Sequence, residues 1–378
     1  MTEYNQYDVI VIGGGLAGLM AAIRLARRDY SVLLFEKNSY PAHKVCGEYV
    51  SNEVLEVLKD VGLNPFDLGA SDIRKLVISD VKGKVNQSAL PLGGFGLSRF
   101  ILDDELCKLA VKNGVTIHAE CRVEDVQHVG NRYMIKTKVA DYYSAFVIGA
   151  FGKRSTLDKK MDRQFIRKRT GFIGVKYHAK LDLPQDEIAL HSFKNGYCGI
   201  VKIEANLYNI CYLFNRKGKV FESISEIEKN YVFRNPELAK VFTENRIEEA
   251  VPFVINEIYF GKKDNVKNNV LFCGDAAGLI TPLCGNGMSM AIHSAILLAD
   301  CILSEDKLNP DVRKVQARYQ NKWNTNFKWR LSVGRKLQHL FLNPGLNPFA
   351  LKMIYSVPGL DKLVISQTHG RKIIAIAT

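Results

Sequence analysis

No stretch of this 378-residue sequence is apolar for long enough to span a bilayer. The longest candidate, residues 292–303, is interrupted by His293, Ser294 and Asp300 and falls short of the roughly 18 to 20 residues that a spanning helix needs. A membrane-crossing helix is therefore excluded. The eight cysteines never form a C-x-x-C pair, and the opening Met1-Thr2-Glu3-Tyr4 lacks the basic and apolar regions of a signal peptide. Both absences read as a cytoplasmic protein in reducing surroundings, and no metal site is expected. No block of five basic residues and no nucleic-acid-binding motif occurs, so the formal charge of +13 does not point to nucleic acid. It suits an acidic protein, an anionic lipid surface or solubility alone. With 47% hydrophobic and 24% charged residues, the chain has the composition of a folded protein, and its length calls for more than one core.

What is present begins at Tyr7. Tyr7-Asp8-Val9-Ile10-Val11-Ile12 reads as a buried parallel strand and runs into Gly13-Gly14-Gly15-Leu16-Ala17-Gly18. Leu16, Leu19, Met20, Ile23 and Leu25 then recur at helical spacing to about Arg28, and Ser31-Val32-Leu33-Leu34-Phe35-Glu36 is a second strand. In this strand-turn-helix-strand order, Gly13 permits the tight turn, Gly15 lets a pyrophosphate approach the backbone, and Gly18 lets the helix pack closely on the strand. The helix start offers free N–H donors to phosphates. Glu36 is placed to accept hydrogen bonds from ribose hydroxyls and would repel a 2′-phosphate. The unit binds a dinucleotide but does not by itself separate FAD from NAD.

A second strand-and-turn lies far along the chain, Asn269-Val270-Leu271-Phe272-Cys273-Gly274-Asp275-Ala276-Ala277-Gly278, followed by Gly285-Asn286-Gly287-Met288 at a helix start. Together with Ser98-Arg99-x-x-Leu102-Asp103 and Gly149-Ala150-Phe151-Gly152, these motifs resemble the para-hydroxybenzoate-hydroxylase-type flavoproteins. Pro41-x-x-Lys44-x-Cys46-Gly47 and Gly196-Tyr197-Cys198-Gly199 make the geranylgeranyl reductase family the nearest resemblance within that group. The resemblance runs over roughly residues 7 to 320 and implies FAD as cofactor. It places Gly13, Gly15, Leu16, Ala17, Gly18, Glu36 and Lys37 on the ADP half, Arg99 near the pyrophosphate or ribityl region, Lys44 in a loop beside the substrate and flavin ring, and Val123 at the adenine. Gly274 and Asp275 would hold the ribityl chain, and Gly285, Asn286, Gly287 and Met288 the pyrimidine end of the ring, where a helix N-terminus favours the negative charge of a reduced flavin. Asp103 would cap a helix running from Asp104 to about Lys112.

The same resemblance implies a reductase of C=C bonds in a lipophilic, isoprenoid- or polyketide-like substrate. The alternative is a monooxygenase acting through a flavin C4a-hydroperoxide; a halogenase, whose Trp-x-Trp-x-Ile-Pro segment is missing, and a non-catalytic flavin carrier stand further off. Many hydroxylases of the group carry an Asp-Gly pair associated with direct NAD(P)H use, and here Phe151 stands at the acid's position. Direct reduction by NAD(P)H is accordingly doubtful, and an electron-donor protein becomes a candidate partner.

Two candidate catalytic residues follow the second strand. Cys46 would gain thiolate character beside His43 and Lys44, or else be a buried, inert thiol. Glu48, where many family members have glycine or another small residue, would have a raised pKa in an apolar cleft and donate a proton, or else be a solvated cap ahead of Ser51. Tyr197, Cys198 and Tyr212 are expected on strands lining the substrate cavity, with core packing as the alternative.

The fold class expected is α/β: a Rossmann-like FAD-binding domain assembled from 1–72, 98–160 and 262–320, an inserted antiparallel-sheet substrate domain from 73–97 and 161–261, and a C-terminal helical region, 321–378. That last region reads as short amphipathic helices broken by Pro344, Pro348 and Pro358, whose basic residues Lys322, Lys328, Arg330, Arg335 and Lys336 suit peripheral contact with an anionic membrane.

Overall fold

The strand Gln6–Ile12 is the centre from which the first sheet grows. It pairs in parallel with Val32–Phe35 on one side and Asp141–Gly149 on the other, which is the crossover order that a glycine turn followed by a helix imposes. A computed structural model describes residues 5–247 and 250–374. In it the eight-stranded first sheet extends to Thr116–His118 at one edge and through Val270–Phe272 to Val266–Lys267 at the other. Helix Leu16–Ala26 buries nine of its eleven residues, because helices Arg99–Lys112 and Gly287–Leu303 close over it. The start of the chain read for a leader, and the last four residues of the C-terminal region, lie outside the described residues.

The second sheet also has eight strands, in the order 253–256, 172–180, 207–215, 196–202, 187–193, 71–79, 85–96 and 49–51. All its neighbours are antiparallel except Glu187–Phe193 against Ser71–Ser79. It therefore draws on Tyr49–Ser51 in addition to the later segments. Within 161–261, residues 224–230 and 236–244 are helical, not stranded. Ser223 caps the first, and Asn235 caps the second ahead of Pro236, which sits where a helix does not need its N–H. Both faces of this sheet are covered. Val175, Tyr177, Cys198, Ile200, Ile210 and Tyr212 pack with Leu238 and Phe242 on one face, and a cavity lies over the other.

The C-terminal region departs from the expected short helices. A single helix runs from Val312 to Leu342, capped by Asp311 through Lys314 N–H at 3.1 Å. Val315, Tyr319, Trp323 and Phe327 recur every four residues on its buried side, and the Tyr319 hydroxyl donates to the Phe272 carbonyl at 2.7 Å. Helices Asn347–Ser356 and Leu360–Thr368 follow, separated at Pro358. Among the described residues no helix is long and apolar enough to cross a membrane.

Candidate active site

A continuous cavity of about 1020 Å³ begins at the glycine turn and ends under the C-terminal helices. That is at the upper end of ligand pockets, which run from about 300 to 1,000 Å³.

At the first end, Gly13 has φ +109, and a Cβ there would lie 2.5 Å from the Ala150 carbonyl oxygen. Gly15 precedes helix Leu16–Ala26 with no side chain capping the first N–H groups. A Cβ on Gly15 would stand 3.3 Å from Arg99 Nη2 and 3.7 Å from Lys44 Nζ, so two cations flank an uncapped helix start. Asp103 holds both: its carboxylate accepts from Arg99 Nε and Nη2 and from Lys44 Nζ, each at 2.7 Å. Burial alone would raise the Asp103 carboxyl, and the two cations outweigh burial to keep it low.

Asp103 is therefore not a helix cap. The helix begins at Arg99, Ser98 caps it by accepting from Ile101 N–H at 3.2 Å, and Asp103 lies four residues into it.

Glu36 is 7% exposed at the cavity wall, and each of its oxygens takes one backbone N–H, Gly14 at 2.8 Å and Asn38 at 3.0 Å. These bonds fix the carboxylate and leave it free lone pairs. Tyr40, not anticipated from sequence, locks the same turn by donating to the Gly14 carbonyl at 2.5 Å. Lys37 and Val123 line this end of the cavity, together with Leu16 and Ala17.

The distant segment arrives opposite. Gly274 has φ +59 and lies against Ala17, its N–H donating to Ser294 Oγ at 2.9 Å. Asp275 lines the cavity beside Gly285, Asn286, Gly287 and Met288, and helix Gly287–Leu303 starts there with no side-chain cap. The Asn286 amide donates to the Thr368 carbonyl at 3.0 Å, tying the C-terminal segment to this helix start. Lys263 was also missed, because no motif surrounds it. Its ammonium donates to the carbonyls of Lys153 and Asp275, both at 2.8 Å, bracing two loops that line the cavity. Burial pulls it down to about 8.

Two uncapped helix starts, flanking cations and a fixed carboxylate, all lining one elongated cavity, fit a dinucleotide with an anionic middle. FAD would be held by Gly13 to Gly18, Glu36, Lys44 and Arg99 at one half and by Asp275 and Gly285 to Met288 at the other.

Cys46 is half-buried and borders the cavity. The expectation of a raised pKa at Glu48 is overturned. Burial would raise it, but the His178 hydrogen bond and the Lys176 charge prevail and hold the carboxyl below its ordinary value. Its Oε1 accepts from Lys176 Nζ at 2.6 Å and from Arg99 N–H at 2.8 Å, and its Oε2 bonds His178 Nε2 at 2.6 Å. Glu48 has φ +53, backbone that suits glycine, so the carboxylate contacts hold a residue where a smaller one would rest more easily. It is neither a solvated cap nor a protonated acid.

Beyond the ring end, Leu76, Ile78, Leu190, Tyr197, Val201 and Leu213 form the cavity floor, and Leu337, Phe341, Leu351, Ile354 and Val364 its roof. Tyr197 is at the cavity as expected. Its hydroxyl accepts from Leu283 N–H at 3.0 Å and bonds Thr281 Oγ1 at 3.1 Å and Gln338 Oε1 at 3.3 Å, joining floor, loop and long helix. Removing the hydroxyl in Tyr197→Phe leaves the Leu283 N–H unpaired, and thermal unfolding is expected to show a loss of about 1–3 kcal/mol. Cys198 does not line the cavity: strand alternation turns it into the core on the opposite face. Tyr212, directly across from Cys198, borders the cavity but sends its hydroxyl away to Glu228 Oε1 at 3.0 Å.

Residues 6–305 match the family described as FAD binding domain. The chain is 24% identical to a digeranylgeranylglycerophospholipid reductase of Methanococcus vannielii, over 84% of this chain and 82% of that protein. It is 25% identical to a menaquinone reductase of Mycobacterium tuberculosis, over 81% and 79%. In three dimensions it is similar to the flavin-dependent brominase Bmp2, with a TM-score of 0.79 at 19% identity, covering 96% of this chain and 93% of that one. The halogenase PltM in complex with phloroglucinol and FAD gives 0.74 at 18% identity, covering 95% and 82%. At such identities the solved structures share the fold and nothing finer. The cradle and the family match agree, and the chain belongs to the FAD binding domain family as an FAD-dependent oxidoreductase distantly related to the geranylgeranyl reductases.

Proposed function

We propose that the protein reduces C=C bonds in a lipophilic, isoprenoid-like substrate. The observation that carries this reading is the cavity arm beyond Met288, roofed and floored by aliphatic and aromatic side chains over the second sheet. Such a lining accepts a long apolar chain and excludes water. Bound FAD supplies the two-electron exchange with the substrate. The chain's own part is to orient the double bond along the sheet, keep water out beneath Phe341, Leu351 and Ile354, and deliver a proton. Cys46, at the junction of the FAD end and the arm, is the group we assign to the proton. The names of the reductase relatives support the same substrate class.

The test uses the FAD-loaded protein, reduced without oxygen and mixed with geranylgeranyl-bearing lipid or menaquinone. The flavin is expected to reoxidise as a saturated product accumulates. A flavin that stays reduced under these conditions and, once air is admitted, reoxidises with an oxygen atom entering the product would overturn the reading in favour of a monooxygenase. Cys46→Ala is expected to retain FAD and to slow product formation by about 10²-fold, within the range for losing a positioned proton donor.

The electrons are assigned to a separate acidic donor protein, with NAD(P)H not acting directly. Phe151 packs edge-on against Phe272 at 5.7 Å and puts an apolar ring where related hydroxylases carry an acid. NADPH added without oxygen is expected to leave the bound flavin oxidised, and rapid bleaching would refute this assignment.

A further inference from the structure

The three C-terminal helices have apolar residues on both sides, and only their inner side is explained by the cavity. In Asn347–Ser356, Leu351 and Ile354 face the cavity while Phe349 and Met353 are 67% and 50% exposed. A short helix with large apolar side chains on its outer as well as its inner side is expected to have a second apolar surface to meet, a core or lipid. Its neighbours repeat the arrangement: Trp329 of the long helix is 63% exposed and Leu363 of the last helix 55%, while Leu337 and Val364 of the same helices line the cavity. Leu346 and Val357, in the connections, are exposed as well. Elsewhere in the described residues exposed large apolar side chains are scattered, which is ordinary, apart from Val251, Phe253 and Val254 at the edge of the second sheet, where no basic residues are interleaved with them.

Charge follows the same division. Between Asn321 and Ile374 there are nine Lys or Arg residues and a single acid, Asp361, so this segment carries eight of the thirteen net positive charges. Asp361 is turned inward, accepting from Ser88 Oγ at 2.6 Å. Arg335, Lys336, Lys352 and Lys362 are all exposed on the outer side, interleaved with the apolar residues. A second copy of the chain is disfavoured here, since two such faces would repel each other.

We infer that this outer face seats the protein on an anionic lipid bilayer, with Phe349, Met353, Trp329 and Leu363 entering the headgroup region and the lysines and arginines meeting lipid phosphates. Aromatic and aliphatic anchors among basic residues are the composition of helices that lie in the membrane interface. The seat requires nothing of the reaction. That lipid substrate passes from the bilayer between these helices into the cavity rests on the reductase reading.

The experiment is flotation of the full FAD-loaded chain with vesicles of phosphatidylcholine alone or mixed with phosphatidylglycerol. Binding is expected to the anionic vesicles, to weaken with salt, and to shift Trp329 emission to the blue. Phe349→Ser with Met353→Ser is expected to weaken binding at least about tenfold while FAD retention stays unchanged, because neither residue lines the cavity. Arg335→Gln, Lys336→Gln and Lys352→Gln should each weaken it about fivefold. Val220→Ser, at a site 90% exposed and remote in sequence, controls for general surface effects and should change nothing. The inference is overturned if the wild-type chain stays out of anionic vesicles, if the Phe349 and Met353 variant binds undiminished, or if the face proves to be a self-association surface that the same variant disrupts. None of these readings involves turnover, so the reductase reading stands or falls separately.

Discussion

Replacing Gly18 with alanine is expected to leave a folded chain that no longer keeps FAD. By helix propensity alone the change should help, since alanine in a helix interior is favoured over glycine by about 1 kcal/mol. Packing opposes it. A Cβ on Gly18 would lie 1.9 Å from the Gly13 carbonyl oxygen and 3.2 Å from Val11 Cγ1. Gly13 cannot retreat, because it already sits at φ +109 against the Ala150 carbonyl and its N–H donates to Phe35 at 2.7 Å. The helix start must move instead, carrying Gly15 and its free N–H groups away from Arg99 and Lys44. Strain of this kind costs about 1–3 kcal/mol, and if it falls on the cofactor seat it weakens FAD binding by about 10- to 100-fold. Titration of the apoprotein with FAD, followed by quenching of flavin fluorescence, measures the loss. Gly345→Ala is the control: the nearest atom to its Cβ is Asn343 Oδ1 at 3.5 Å, and affinity should not change. Unaltered FAD affinity in Gly18→Ala would mean that the glycine turn is not the phosphate seat.

The region containing Gly18 was legible in sequence because its chemistry is local. A phosphate seat needs a strand, a turn with forced glycines, a helix start and an acid within some thirty residues, and each is readable without knowing the rest of the fold. The far half, Gly274 to Met288, was recognised by resemblance, and the sheet brings it opposite the first half by pairing Val270–Phe272 with Asp141–Gly149. Side-chain direction on the second sheet was not legible. Alternation says that Tyr197 and Cys198 face opposite sides, but with both faces buried it does not say which side is the cavity. Cys198 was consequently placed on the wrong face, whereas Tyr212, across from it, still borders the cavity and only its hydroxyl turns away. The helix start at Ser98 was misread because Ser98 and Asp103 are both good capping residues, and only the buried ion pairs distinguish them.

Lys176 and His178 gave no signal at all. In the strand Phe172–Lys180 they alternate with Val175 and Tyr177, which is the pattern of a half-solvated strand. The fold instead lays that face against the loop carrying Glu48, where Lys176 is fully buried. A partner 128 residues away in sequence converts an apparent surface lysine into an internal cation.

From that burial follows the second large effect. Glu48→Gln removes the charge that balances Lys176 while leaving the ammonium no route to water. Breaking a buried pair from one side costs about 3–5 kcal/mol, and chemical denaturation should show a loss of that size. Glu48→Gln combined with Lys176→Met should recover much of it, because an apolar replacement removes the stranded charge as well. The acid limb supplies an independent check. The folded-state pKa of Glu48 lies below that of the unfolded chain, so its contribution is fully present above the ordinary carboxylate range and is lost as pH falls through the lowered folded value. The wild-type protein should therefore lose stability on acidification more steeply than the Gln variant. A proton-donating Glu48 would behave differently on every count: its loss would stop turnover, spare stability, and leave the Lys176→Met double variant no better than the single one. The two oxygens, already committed to Lys176, Arg99 and His178, make the structural outcome the expected one, with the arm of the site near Cys46 held in shape by a charge that never leaves it.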